Sequence, residues 1–506
     1  MPLIDTEVAT VSPSPAAAPA RLARNVVWVS GAVAVTLVAL ASRFGYHRDE
    51  LYFLAAGRHL DWGYADQGPL TPLLARAMNM IDPGSLTVLR LPSAAAAAVV
   101  VLLTGLLARE LGGRARAQSL AAVTAAAAVI VLFTGHTLST STFDLLAWTL
   151  LSWLVVRAIR AGRDRMWLLI GAVLGVALLN KPLPAFFAVA LLAGIAVAGP
   201  RRLLHNRYLW TGAAIAVVLW SPWLIWQAAH GWPQLTVSQS IAGGGSTSSQ
   251  PWWAIVPFQA LLAGPALAPV WIAGLVRLFR DPAVRDVRLL AWTWVFLAVA
   301  FMATGGKPYY LAGLLPVLIG SGSVWVDAWL DRGRVRARRV LLSTVVAISA
   351  LAGLLIALPV LPAHDAGPVV AMNPDVGETI GWPQLARTVA DVDRRLPAGT
   401  RPVIFTANYG EAGAIDRFGP ALGLPRAYSG HNAYAQWGPP PDRSAPIIAV
   451  GIEPAQLAIH MRGCTIAAHV TNPAGIDNDE NGEPVAICDA PRRAWSQEWP
   501  SLTHLG

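Results

Sequence analysis

The chain has 506 residues, 55% of them hydrophobic and only 13% charged, with a formal net charge of +9. So apolar a composition excludes a soluble domain built on one core. The basic residues are scattered over short connections between apolar runs, so the charge is a topology signal and nucleic acid is excluded as a partner.

Residues 1–24 are mostly Pro, Ala, Ser and Thr at the start and are expected to form a disordered cytoplasmic tail. The run Val26 to Phe44, about 19 residues, is long enough to cross a bilayer as a helix. It lacks a convincing small-residue cleavage site, which predicts a retained anchor rather than a removed signal peptide. Next come His47-Arg48-Asp49-Glu50-Leu51-Tyr52-Phe53 and Leu60-Asp61-Trp62-Gly63-Tyr64-Ala65-Asp66-Gln67-Gly68-Pro69. Carboxylates therefore gather where the first span leaves the membrane. No Lys or Arg lies three or four residues after Asp49 or Glu50, so a helix there offers neither an intrahelical ion-pair partner. The acidic pair is either a solvated loop end or a site. A helix is expected over Asp49–Leu60, lying flat on the membrane with Tyr52 and Phe53 as aromatic anchors. A second short interfacial helix is expected over Pro72–Met80.

About ten further apolar runs follow, at 86–108, 119–135, 142–158, 166–180, 183–198, 208–226, 252–276, 289–304, 309–329 and 340–361, each a membrane-helix candidate. Arginines crowd one set of connections, for example Arg157, Arg160, Arg163 and Arg165, and Arg332, Arg334, Arg336, Arg338 and Arg339. That bias predicts a cytoplasmic amino terminus and, after an odd number of spans, an external carboxyl end. Asp144 opens the fourth run, after the hydroxyl-rich stretch Thr137 to Thr142. It is either a helix N-cap or a site residue, since a carboxylate at the edge of a span is costly.

All but two of the 38 basic residues are Arg. The two lysines stand in external turns, Lys181 in Asn180-Lys181-Pro182 and Lys307 in Gly305-Gly306-Lys307-Pro308-Tyr309-Tyr310. Lysine is a compact point charge that suits phosphate without demanding a planar fork; the alternative is that both snorkel to the interface. Trp220, Trp223, Trp226 and Trp232 are most simply an interfacial belt. Gly243 to Ser249 form a mobile lid or a plain linker.

After residue 361 the pattern changes. Short β-like runs at Val403-Ile404-Phe405, Ile447 to Val450, Thr465 to Val470 and Val485 to Ile487 alternate with helix-like patterns at Leu385 to Leu396 and Pro454 to Met461. Residues 362–506 are thus expected to form a small extracytoplasmic α/β domain. Its loop Tyr428 to Pro439, with His431 and Asn432, can stack and hydrogen-bond a sugar, and can equally dock the domain on the membrane. A disulfide between Cys464 and Cys488 would suit an oxidising compartment; two unpaired buried thiols are the other reading. No phosphate-binding loop, dinucleotide fingerprint, zinc-protease motif or internal repeat is present.

Taken in order, Asp49-Glu50 after the first span, Gly63-Tyr64-x-Asp66-x-x-Pro69-Leu70, Asp144, the Asn180-Lys181 turn and the Lys307-Pro308-Tyr309-Tyr310 turn resemble the polyprenyl-phosphate-dependent membrane glycosyltransferases of the GT-C class. The likeness is to family 39, the group containing aminoarabinose transferases and protein O-mannosyltransferases. It implies a multi-pass α-helical protein of the plasma membrane, with about eleven spans, a catalytic membrane domain over 25–361 and a first external loop over 45–85. It also implies inverting transfer of a sugar from a polyprenyl-phosphate carrier to an acceptor hydroxyl of a glycan, glycolipid or protein. Asp49 would be the general base, with Glu50 or Asp144 orienting it or the acceptor. Lys181 and Lys307, with Tyr309 and Tyr310, would bind the donor phosphate; Tyr64, Asp66, His431 and Asn432 would contact substrate. Family members often carry His and Pro where this chain has Gln67 and Gly68, so neither a metal nor any other cofactor is expected to be required. A transporter would show paired halves and charges near mid-membrane, and an assembly scaffold would need no acid–base set; here the polar residues gather at the outer edge.

Overall fold

The structure, a computed structural model, describes residues 20–244 and 250–506; the tail over 1–19 and most of the glycine–serine loop, 245–249, lie outside the described residues. Each apolar run is helical. Five helices are long and apolar enough to cross a membrane: Leu86–Glu110, Thr140–Ala161, Arg207–Ala229, Pro308–Leu330 and Val335–Ala357. Two more runs are bent pairs, Ala115–Ala126 with Val129–His136 at 57° and Trp252–Ala263 with Pro265–Arg280 at 96°. Gly264, at φ 91°, supplies the second bend, a conformation that side chains with a Cβ avoid. Arg24–Leu40, Met166–Leu178, Leu183–Ala198 and Leu289–Thr304 are shorter apolar helices.

The helices pack through small residues: Gly171 faces Gly212, and Gly274 faces Leu318 and Gly322, each close enough that a Cβ would strike backbone. The peripheral helices leave Val217, Val218, Ile225, Val340, Leu341, Ile348 and Leu351 exposed, an apolar surface suited to lipid.

The carboxyl-terminal region holds strands β1 (Val403–Thr406), β2 (Ala427–Ser429), β3 (Ile447–Val450), β4 (Met461–Arg462), β5 (Thr465–His469), β6 (Pro484–Cys488) and β7 (Ala490–Pro491). Five make one sheet in the order β2-β1-β3-β6-β5, parallel from β2 to β3 and antiparallel beyond, while β4 and β7 pair separately. Cys464 and Cys488 are joined, Sγ to Sγ, beside β5 and β6.

The segment after the first apolar helix forms helices Arg48–Arg58 and Leu70–Ile81, close to expectation. The first of them does not lie on lipid. Tyr52 and Phe53 are fully buried in one apolar cluster with Trp382, Leu385, Val389, Ala412 and Ile415 of the α/β region. The contact is close because Gly410 and Gly413 of helix Tyr409–Phe418 meet Arg48 and Leu51 with no Cβ of their own between. Burial against a domain wins over the membrane surface because both faces of the helix are then removed from water.

Candidate active site

His47 caps helix Arg48–Arg58: its Nδ1 accepts from Asp49 N at 3.2 Å, and Glu50 Oε2 accepts from His47 N at 2.8 Å, a reciprocal capping box. Asp49 and Glu50 then separate in fate. Glu50 is fully buried and forms a two-pronged ion pair with Arg90, at 2.8 Å from Nε and 2.7 Å from a terminal guanidinium nitrogen. Leu138 N also donates to it at 2.8 Å. Arg90 in turn donates to the Ala41 and Gly45 carbonyls. Glu50 was expected to orient Asp49 or the acceptor; its oxygens are taken up by Arg90, Leu138 N and His47 N, so it ties three chain segments together at the start of the helix that carries Asp49. Asp49 is only partly buried and receives the Tyr409 hydroxyl at 2.9 Å.

Asp144 is not an N-cap. Ser139 caps helix Thr140–Ala161, and Asp144 lies one turn in, buried, accepting from Trp148 Nε1 at 3.1 Å. Lys181 sits just beyond this helix start. Its turn is held by Asn180, which donates to Thr140 O at 2.8 Å and accepts from Thr71 Oγ1 at 2.7 Å. Gly68 N donates to Asn180 O, and a Cβ on Gly68 would strike the Leu179 carbonyl. Glycine is thus required where the first loop lies on the lysine turn.

Lys181 Nζ is 5.2 Å from the Tyr309 ring centre and 5.1 Å from that of Tyr310, whose planes stand at 88° to each other. Burial pulls Lys181 below the ordinary lysine value, while Asp144 and Asp49 act to raise it. Burial, reinforced by Lys181, brings Lys307 down to about 8, opposed by Asp49, Asp375 and Asp66. Lys181, seated on the Tyr309 and Tyr310 rings, lies beside the turn that carries Lys307, and the charge of Asp49 acts on both lysines.

Asp66 accepts from Tyr52 Oη at 2.7 Å and Asn432 Nδ2 at 3.1 Å. Burial lifts it to about 6, against the Tyr52 hydrogen bond. Tyr64 does not join the group. It is fully buried, its hydroxyl against the Ala56 and His59 carbonyls, where it closes the helix end. His431 is stacked between Tyr409 and His504, its Nε2 is 3.0 Å from the Gly506 carbonyl, and burial pushes it down to about 3, which keeps it neutral. The loop that carries it docks on the first external segment: besides Asn432 to Asp66, Ala433 N donates to Tyr52 Oη at 3.1 Å.

Sequence reasoning gave no site role to Arg90, Asp375 or Tyr409. An arginine placed early in an apolar run signals a buried partner, so Arg90 carried a clue. The run Asn408-Tyr409-Gly410-Glu411 belongs to the family resemblance, but nothing local ties Tyr409 to Asp49, 360 residues away. Arg48, which pairs with Glu378 at 3.3 Å and lies over the Tyr409 ring, was likewise unassigned.

Comparison with curated proteins finds no match. Residues 66–226 match the model of the dolichyl-phosphate-mannose-protein mannosyltransferase family. Among solved structures, ArnT from Cupriavidus metallidurans bound to undecaprenyl phosphate aligns with a TM-score of 0.58 at 15% identity, over 91% of this chain and 97% of that one. Its apo state gives 0.56 at 15% identity over the same shares. The apo oligosaccharyltransferase of Archaeoglobus fulgidus gives 0.48 at 13% identity, over 78% of this chain and 63% of that one. The matched segment includes Asp66, Asp144 and Lys181, and over most of its length the chain has the fold of the solved ArnT structures.

Proposed function

We propose that the chain is an inverting glycosyltransferase that moves a sugar from a polyprenyl-phosphate carrier to an acceptor hydroxyl on the external face of the membrane. The observation that supports this reading is Lys181 set against the Tyr309 and Tyr310 rings beside the Lys307 turn, with the charge of Asp49 acting on both lysines. A base and two cations are what displacement of a phosphate from an anomeric carbon needs. The undecaprenyl phosphate bound in the similar ArnT structure supports the donor class. The arginine asymmetry supports an external site beside a cytoplasmic amino terminus.

In this reaction the acceptor oxygen attacks the anomeric carbon on the side opposite the phosphate. The new C–O bond forms as the bond to the phosphate oxygen breaks. The acceptor proton passes to an Asp49 carboxylate oxygen. The electron pair leaves with the polyprenyl phosphate, which gains one negative charge, and Lys181 and Lys307 stabilise that charge as it develops. Asp144 helps keep Lys181 cationic inside its buried turn. Tyr309 and Tyr310 fix the ammonium position through their ring faces.

The test is transfer of radiolabelled sugar from a polyprenyl-phosphate carrier to membrane glycan, glycolipid and protein fractions by purified protein in lipid vesicles. Asp49→Asn should remain folded and lose about 10²–10⁴-fold in turnover. Turnover near that of the unaltered protein would remove the mechanism.

A further inference from the structure

We infer that Tyr409 of the α/β domain is a positioning residue for Asp49, so the carboxyl-terminal domain is part of the machinery that aims the base. The inference rests on the proposed role of Asp49. The Tyr409 hydroxyl donates to Asp49 Oδ1 at 2.9 Å, across 360 residues of chain. The donor itself is held on all sides. Tyr409 is the first residue of helix Tyr409–Phe418, which starts just beyond the carboxyl end of β1. Asn408 caps that helix, accepting from Gly410 N and Glu411 N, while Glu411 accepts from Asn408 N. The Tyr409 ring stacks on Tyr52 at 4.6 Å on one side, and the Arg48 guanidinium lies 5.4 Å from the ring centre. Gly410 and Gly413 let the whole helix seat on Arg48 and Leu51.

A phenol held this way fixes one carboxylate oxygen of Asp49 and leaves the other for the acceptor proton. A parallel contact from the same domain, Asn432 to Asp66, holds the second carboxylate of the site. Asp49 and Asp66 thus each have one donor from the α/β domain.

The experiment compares Asp49→Asn, Tyr409→Phe, the two combined and the unaltered protein in the vesicle transfer assay. Tyr409→Phe removes one oxygen and keeps the ring stack. It should lower kcat about tenfold with little change in the donor KM, the size expected for one charge-assisted hydrogen bond. In the Asp49→Asn background it should lower kcat no further, whereas a merely structural tyrosine would lower both backgrounds alike. If Tyr409→Phe does not fold, 3-fluorotyrosine at position 409, a stronger donor of the same shape, should change kcat in the protein that keeps Asp49 and not in Asp49→Asn. An inactive Asp49→Asn beside a Tyr409→Phe protein with unchanged kcat would overturn this inference and leave the proposed base intact. An active Asp49→Asn would instead overturn the proposed function itself.

Discussion

Glu50 offers the sharpest test of whether the acidic pair is one functional unit or two. The perturbation is Arg90→Met, compared with Glu50→Gln and with Glu50→Leu/Arg90→Met. In the native protein the Glu50 carboxylate accepts from Arg90 at 2.8 and 2.7 Å, from Leu138 N at 2.8 Å and from His47 N at 2.8 Å. Arg90→Met removes the paired cation and leaves a fully buried charge with the two backbone donors, Leu138 N and His47 N. Breaking a buried pair in this way costs about 3–5 kcal/mol. Glu50→Gln strands the guanidinium, which keeps only the Ala41 and Gly45 carbonyls and the His136 ring, and should cost a similar amount. The double variant removes both charges and loses mainly the cap, about 1 kcal/mol. It should therefore be more stable than either single variant. The assay is thermal unfolding of detergent-solubilised protein, reading the order of the midpoints. Single variants that melt with the native protein, or a double variant that melts at the summed decrement, would refute this tie. A Glu50→Gln protein of native stability without transfer activity would return Glu50 to the chemistry.

Lys307 should give the reaction a basic limb. Burial, with Lys181, brings it from 10.5 to about 8, so in donor-free protein the ammonium is lost as pH rises through about 8. The folded value lies below the unfolded one, so charging this lysine opposes folding at neutral pH, and that opposition fades between about 8 and 10.5. Expected is a fall in kcat/KM above about pH 8 that flattens in Lys307→Arg; an unchanged limb in that variant refutes the assignment. At Lys181 the ammonium fits between the Tyr309 and Tyr310 rings. Lys181→Arg and Lys181→Ala should both lose tenfold or more in kcat/KM, whereas full activity of the arginine variant would mark a snorkelling residue.

The placement of the two lysines in turns and of Asp49 after the first span was visible because both follow from local pattern: long apolar runs, interrupted by glycine and proline, end where polar residues resume. The β1, β3, β5 and β6 strands were visible for the same reason, as short β-branched runs. Helix Tyr409–Phe418 was not, because Gly410, Ala412, Gly413 and Ala414 carry no apolar period; Gly413 allows close approach to Leu51 and Gly410 to Arg48. The short β2 was missed because three residues hold too little pattern.

From sequence alone come the apolar helices, the gathering of carboxylates after the first of them and the rarity of lysine, since each depends on residues adjacent in the chain. Only the tertiary structure separates Asp49 from Glu50. Next to each other in sequence, they project to different sides of one helix, where Arg90 meets the second and Tyr409 the first. A pairing of that kind depends on which distant segments pack against each face, and no local periodicity encodes it.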